Sequence, residues 1–130
     1  MLSAIFGDKK KREAAQLNRD APLVIQQAEQ LYASPRLRMM AGSIANLIER
    51  VSVRYGTREI DLKRAHFDYR SLHKEARRKN DQVGLSAITL AIIYIRAKIA
   101  GPGANPACAA IDIFLAKWRT NDENAGEISE

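Results

Sequence analysis

Apolar side chains recur along the chain at the three-to-four-residue spacing of an α-helix, and no long stretch alternates with the two-residue period of a strand. Three such stripes stand out: Met40, Ile44, Leu47, Val51 and Tyr55; Leu62, Ala65, Tyr69, Leu72 and Ala76; and Ala107, Ile111, Phe114, Leu115 and Trp118. Each stripe marks the side that a helix turns toward a shared core. The pattern therefore predicts an all-α fold.

Proline and glycine divide this pattern into six predicted helices. Prolines 22, 35 and 106 suit the first turn of a helix, and Gly56 and Gly101 suit helix ends. The predicted helices cover about 8–20, 22–33, 35–55, 57–79, 82–100 and 105–119. Residues 85–100 are apolar on nearly all sides, which predicts that helix 82–100 is central and surrounded by the others. We expect one compact domain of five or six helices.

The two ends of the chain differ from this domain in composition. Residues 1–7 are mostly apolar and precede a basic run at residues 9–12, so we expect an N-terminal arm that is either mobile or folded back on the domain. Residues 120–130 contain four acidic residues and no basic one, which predicts a disordered acidic tail. The helical domain is therefore assigned to residues 1–119.

The domain is strongly basic once the tail is set aside. The whole chain of 130 residues has 21 Lys and Arg against 15 Asp and Glu, a formal net charge of +6. Since four of the acidic residues lie in the tail, residues 1–119 carry 21 basic against 11 acidic side chains, a net charge of +10. A positive field attracts nucleic acids and acidic proteins. The 46% hydrophobic content excludes a fully disordered chain.

Cysteine usage and the most apolar segment indicate a cytoplasmic protein. Cys108 is the only cysteine, so no internal disulfide can form and the fold must persist in a reducing compartment. Helix 82–100 is the most apolar one, but Arg96 and Lys98 interrupt it. A membrane-spanning helix needs about 18 or more residues without such charges. We therefore expect a core helix and no membrane span.

The sequence contains none of the common catalytic, phosphate-binding or metal-binding motifs. Its two histidines, His66 and His73, are seven residues apart, which separates them by about 10 Å along a helix, too far to share a metal ion. We expect both to be solvated surface side chains. The sequence thus predicts a non-enzymatic protein without metal or cofactor, unless catalytic groups meet from distant helices.

The predicted helix 57–79 carries the most informative charge pattern, because at 100° per residue its charges fall on opposite sides of the core stripe. We call one side the basic flank, formed by Lys63, His66, Arg70, His73, Lys74 and Arg77. The other side is the acidic flank, formed by Asp61, Asp68 and Glu75. Ile60, Arg64, Phe67 and Ser71 form what we call the outer face, in which Ile60 and Phe67 point away from the core stripe.

Three interpretations of this helix are open. It is a solvated helix, a helix–helix interface, or a row of cations that faces phosphates. The leading prediction is a non-enzymatic adaptor that binds a protein partner or a second copy of the chain through Ile60, Phe67, Arg64 and Ser71. The alternative is sequence-independent nucleic-acid binding through Lys9, Lys10, Lys11, Arg12, Lys63, Arg70, Lys74, Arg77 and Arg78.

Overall fold

Five α-helices make up the fold in the computed structural model, which describes the backbone of residues 2–128 and the side chains of residues 7–119. They are α1 (Leu2–Leu31), α2 (Ser34–Arg50), α3 (Glu59–Arg78), α4 (Gln82–Ala100) and α5 (Asn105–Ile128), with a π-helical turn at Val51–Tyr55 after α2 and a 3₁₀ turn at Pro102–Ala104 before α5. Residues 2–128 contain no strand. The prediction of a single all-α domain is confirmed.

The central position of α4 follows from its apolar sequence. α4 packs against each of the other four helices. Its buried side chains are small or aliphatic: Ala87, Leu90, Ala91, Ile93, Ile95 and Ala97. By length and composition alone α4 could also cross a membrane. Of the apolar stretch that meets this criterion, 33% is buried in the fold. Because a core helix can have the same length and composition, the absence of a membrane span stays a prediction.

The core has two parts, and α3 belongs to the smaller one. In the larger part, Leu17 of α1, Met40 of α2 and Phe114 of α5 pack together with α4. The smaller part joins α3 to α4 and to the π-helical turn through Val51, Ala65, Tyr69, Ala91 and Ile95. α3 therefore rests mainly on α4 and the π-helical turn, and most of its charged side chains are exposed, whereas Asp61 is buried.

α1 is one continuous helix, so the predicted division into two helices at Pro22 is wrong. Proline removes one backbone hydrogen bond and costs about 3 kcal/mol inside a helix. Burial on both sides of it offsets this cost, because Leu17, Ala21 and Ala28 are buried while Pro22 lies on the exposed side. Complete burial of Leu17 alone contributes about 1.5–3 kcal/mol. Tertiary packing thus overrides the local signal.

Both terminal helices are longer than the sequence predicted. α1 begins at Leu2 rather than Asp8, and α5 continues to Ile128 rather than ending near residue 119. The side chains of residues 1–6 and 120–130 lie outside the described residues. The expected N-terminal arm and the expected disorder of the acidic tail therefore stay predictions.

Gly56 and Asp61 form the joint between the π-helical turn and α3. Gly56 has φ 121° and ψ −167°, a region that glycine alone adopts at low cost. A side chain at this position would collide with the Asp61 carboxylate. That carboxylate accepts the backbone N–H of Arg58 at 3.0 Å and two guanidinium N–H groups of Arg58 at 2.9 and 3.0 Å. The hydrogen bonds from Arg58 hold the pKa of Asp61 below its usual range and secure the start of α3.

We expect Gly56→Ala to lower the free energy of unfolding by about 1–3 kcal/mol, because alanine is strained at this φ and meets Asp61. Gly42→Ala is the matched control. Gly42 lies inside α2 with open space around its α-carbon, so alanine there should raise the free energy of unfolding by about 0.5–1 kcal/mol. Urea unfolding followed by circular dichroism measures both, and equal stability of the two variants would contradict the assigned joint.

Candidate functional site

An open groove of about 580 Å³ lies between α1 and α3, with α4 as its floor. We call it the basic groove. Its lining comprises Asp20, Leu23, Val24 and Gln27 of α1, His66, Arg70, His73, Lys74 and Arg77 of α3, and Thr89, Ile92, Ile93 and Arg96 of α4. The groove exists because α1 and α3 both pack on α4 but scarcely contact each other.

The α3 wall of the basic groove carries most of the predicted basic flank. Arg70, Lys74 and Arg77 are spaced i, i+4 and i+7, so one side of the helix presents all three guanidinium and ammonium groups to the same opening. His66 and His73 complete this wall. The remaining member of the basic flank lies elsewhere: Lys63 borders a shallow depression with Tyr55, Arg64, Phe67 and Asp68.

The other surfaces of the basic groove combine apolar and polar side chains in equal number. Leu23 and Val24 of α1 face Ile92 and Ile93 of α4 across the opening. Leu23 is 53% exposed, so a leucine in the groove still contacts water over half of its surface. Asp20 is the acidic residue of the lining, and it accepts a hydrogen bond from Gln16 Nε2 at 2.8 Å. The groove therefore combines a cationic edge with an apolar surface.

The acidic flank of α3 is occupied by partners from the chain itself. Asp61 is bonded to Arg58, as described above. The Tyr55 hydroxyl donates a hydrogen bond to Asp68 Oδ2 at 2.6 Å, and this bond, together with burial and the charge of Asp68, raises the pKa of Tyr55 to about 12. Glu75 pairs with Lys79 at 3.1 Å. Every acidic side chain of this flank is thus already engaged.

The cations of the groove wall are arranged differently. Arg70, Lys74 and Arg77 have no ion-pair partner among residues 7–119, where side chains are described. Arg96, at the floor, instead donates hydrogen bonds to Glu13 Oε1 at 3.0 and 3.2 Å. Three unpaired positive charges of α3 therefore border the groove, where a bound anion would meet them.

His66 and His73 are half-buried groove residues, which corrects the expectation that both are solvated surface side chains. Partial burial lowers the pKa of His66, and the charges of Arg96 and Arg70 lower it further against a small opposing effect of Glu13. Burial and then Arg77 lower the pKa of His73. Because the ordinary pKa of histidine is 6.5, both side chains are mainly neutral at physiological pH.

The outer face of α3 projects into solvent. Ile60 is 50% exposed and Phe67 is 71% exposed, and Arg64 and Ser71 are exposed on the same face. No side chain among residues 7–119 covers these four. Arg78 is also exposed and lies outside the lining of the basic groove.

The predicted basic run of α1 lies beside the first turn of α3. Lys9, Lys10, Lys11 and Arg12 are all exposed, and Lys10 Nζ is 3.9 Å from Glu59 Oε1. Glu13, the next residue, reaches Arg96 in the groove. The basic run therefore continues the cationic surface beyond one end of the groove.

Sequence reasoning missed the residues that α1 and α4 contribute to the groove, among them Asp20, Leu23 and Ile92. Arg96 was visible only as a charge inside an apolar helix, and that anomaly was the available signal. No group of three or more His, Cys, Asp or Glu residues that could hold a metal ion occurs in the described part of the chain. Cys108 is buried, and burial raises the pKa of its thiol.

The arrangement can bind a ligand that is anionic along one edge and apolar along the other. α3 positions the cations of the groove wall, and α1 and α4 supply the apolar surface. Comparison with protein-family models, curated proteins and solved structures found no match to this chain, so the groove is interpreted from its own chemistry.

Proposed function

We propose that the chain is a non-enzymatic binding module that holds an acidic segment of a partner protein in the basic groove. One observation carries the proposal: Arg70, Lys74 and Arg77 line a single edge of the groove without an ion-pair partner in the described part of the chain. Charge-assisted hydrogen bonds to carboxylates are stronger than neutral ones, and several exposed cations on one edge act together on one acidic segment. The binding site that we propose is therefore the basic groove, and not the outer face of α3 that the sequence favoured.

Binding rather than catalysis is favoured by the hydrogen bonds of the lining. Neither His66 nor His73 is bonded to a carboxylate within residues 7–119, so no acid–base pair is assembled there. The Thr89 hydroxyl donates to the Leu85 carbonyl at 2.8 Å within its own helix. The groove therefore offers recognition groups and no activated nucleophile among its described side chains.

Nucleic acid is the second candidate, and one observation favours it. Lys9, Lys11 and Arg12 are exposed beside the start of α3, so the cationic surface extends past the groove. Such a strip suits a phosphate backbone in a sequence-independent manner. Against it, the groove lining contains no aromatic side chain on which a base could stack. An acidic protein segment therefore fits better.

We expect Arg70→Glu with Lys74→Glu to weaken capture of the partner by at least about tenfold, because two attractive contacts become repulsive and 1.4 kcal/mol is already tenfold. The measurement is affinity capture from native cell extract, quantified with and without nuclease. Arg36→Glu with Arg54→Glu is the charge-matched control, since both arginines are exposed outside the groove.

A partner that resists nuclease, is lost with the groove variant and is retained with the control supports the proposal. A partner lost only with Phe67→Ser would place the interface on the outer face instead. A catch that disappears with nuclease would favour nucleic acid.

We expect affinity for an acidic polymer to rise about two- to tenfold as the pH falls from 7.5 to 5.5, since exposed charge pairs contribute about 0.2–1 kcal/mol each. Burial lowers the pKa values of His66 and His73 from the ordinary 6.5, so both side chains gain charge as the pH falls below that value. In the free protein the same titration lowers the free energy of unfolding below about pH 6.5, because the unfolded chain binds these protons more tightly.

Fluorescence anisotropy with labelled poly-L-glutamate measures the affinity, and urea unfolding measures the stability. His66→Gln with His73→Gln should flatten both pH dependences. An unchanged pH dependence in this double variant would show that the two histidines do not face the bound polymer.

A further inference from the structure

We infer that the occupant of the basic groove is an acidic amphipathic helix, an inference that rests on the proposed function and names the partner's chemistry. Its apolar stripe would lie on Leu23, Val24, Ile92 and Ile93, and its acidic residues would line the edge that faces α3. Three features of the groove carry this inference: its shape, its apolar surface and the one-sided placement of its charges.

The groove is an elongated trough. α1 and α3 run in the same direction on either side of α4, because Lys10 lies beside Glu59 at their starts and both helices line the groove further along, α1 between residues 20 and 27 and α3 between residues 66 and 77. The lining extends from His66 to Arg77, which is about 16 Å or three helical turns. A trough between two parallel helices is the shape that receives a third helix in helix-in-groove recognition.

The apolar surface of the trough matches a helical stripe. Half-buried Ile92 and buried Ile93 supply the apolar part of the floor beside Thr89 and Arg96, and the half-exposed Leu23 and its neighbour Val24 supply the α1 edge. A partner helix presents apolar anchors at i, i+3 or i+4, and i+7 along one side. These anchors span about two helical turns, which fits within the three turns of the groove. Burial of such anchors against Leu23 would remove apolar surface from water.

The charges of the groove determine which flank of the partner helix faces α3. Arg70, Lys74 and Arg77 all lie on the α3 edge, whereas the α1 edge carries Asp20 and the neutral Gln27. Carboxylates spaced i, i+4 and i+7 on one flank of the partner match the spacing of these cations. Acidic residues on its opposite flank would meet Asp20 and be repelled. Nucleic acid carries charge without such an apolar side, so it matches only half of the groove.

The test uses two synthetic 18-residue peptides of identical composition. The first places leucines at i, i+3, i+7, i+10 and i+14 and glutamates along one adjacent flank, and the second has the same residues in scrambled order. Fluorescence anisotropy measures binding to the full chain, and circular dichroism measures peptide helicity. We expect the amphipathic peptide to bind at least about tenfold more tightly and to become helical on binding.

Leu23→Gln tests the apolar contact with little risk to the fold, since Leu23 is already 53% exposed. Leu31→Gln is the matched control, because Leu31 belongs to the same helix, is 74% exposed and lies outside the groove. We expect Leu23→Gln to weaken binding of the amphipathic peptide about three- to tenfold and Leu31→Gln to leave it unchanged. Thermal unfolding of both variants verifies that the fold is intact.

The outcomes separate this inference from the proposed function. Equal binding of both peptides, lost with Arg70→Glu and Lys74→Glu but unaffected by Leu23→Gln, would overturn the helix inference and leave an acidic-segment module. If neither peptide binds but a single-stranded DNA oligonucleotide does at about 50 mM salt, both proposals fail in favour of nucleic acid. If none of the three probes binds, both proposals are wrong.

Discussion

The packing of four helices on α4 is the constraint on which the rest of the structure depends. Because α4 is apolar on nearly every side, α1 and α3 can both rest on it without contacting each other extensively. The basic groove between α1 and α3 therefore results from their common packing on α4, and no additional element is needed to form it. Ile92 and Ile93 show the connection directly, since they belong to the same helix that supplies the core and also form the floor of the basic groove.

The helical periodicity was sufficient to predict the fold class and most of the core side of three helices, but Leu72 of the predicted α3 stripe is 40% exposed. Met40, Ile44 and Val51 are buried as their spacing predicts, and so are Ile111 and Phe114. The boundaries were less secure where a local signal competed with tertiary packing. Pro22 indicates a break in isolation, but burial of its neighbours on both sides keeps α1 continuous. The stabilisation from this tertiary burial cannot be read from the residues around Pro22 alone.

The basic groove could be predicted only in part for a similar reason. The spacing of Arg70, Lys74 and Arg77 placed them correctly on one side of α3, because helical geometry is local. Leu23 and Arg96 join them only through the tertiary arrangement. Sequence also treats the acidic and basic flanks as equivalent, whereas the structure uses Asp61, Asp68 and Glu75 internally.

The separate anchoring of α3 has a consequence for the dynamics of the site. α3 is attached through the smaller core cluster and lies between two turns, one at Gly56 and one at Asn80, where φ is 54°. Segments with few buried contacts open as cooperative units at a free energy below that of global unfolding. Opening of α3 would remove one wall of the basic groove, so a ligand in the groove would hold this unit closed by mass action. The amide hydrogens of α3 would then exchange with solvent more slowly in the bound state than in the free state, while those of α4 would change little.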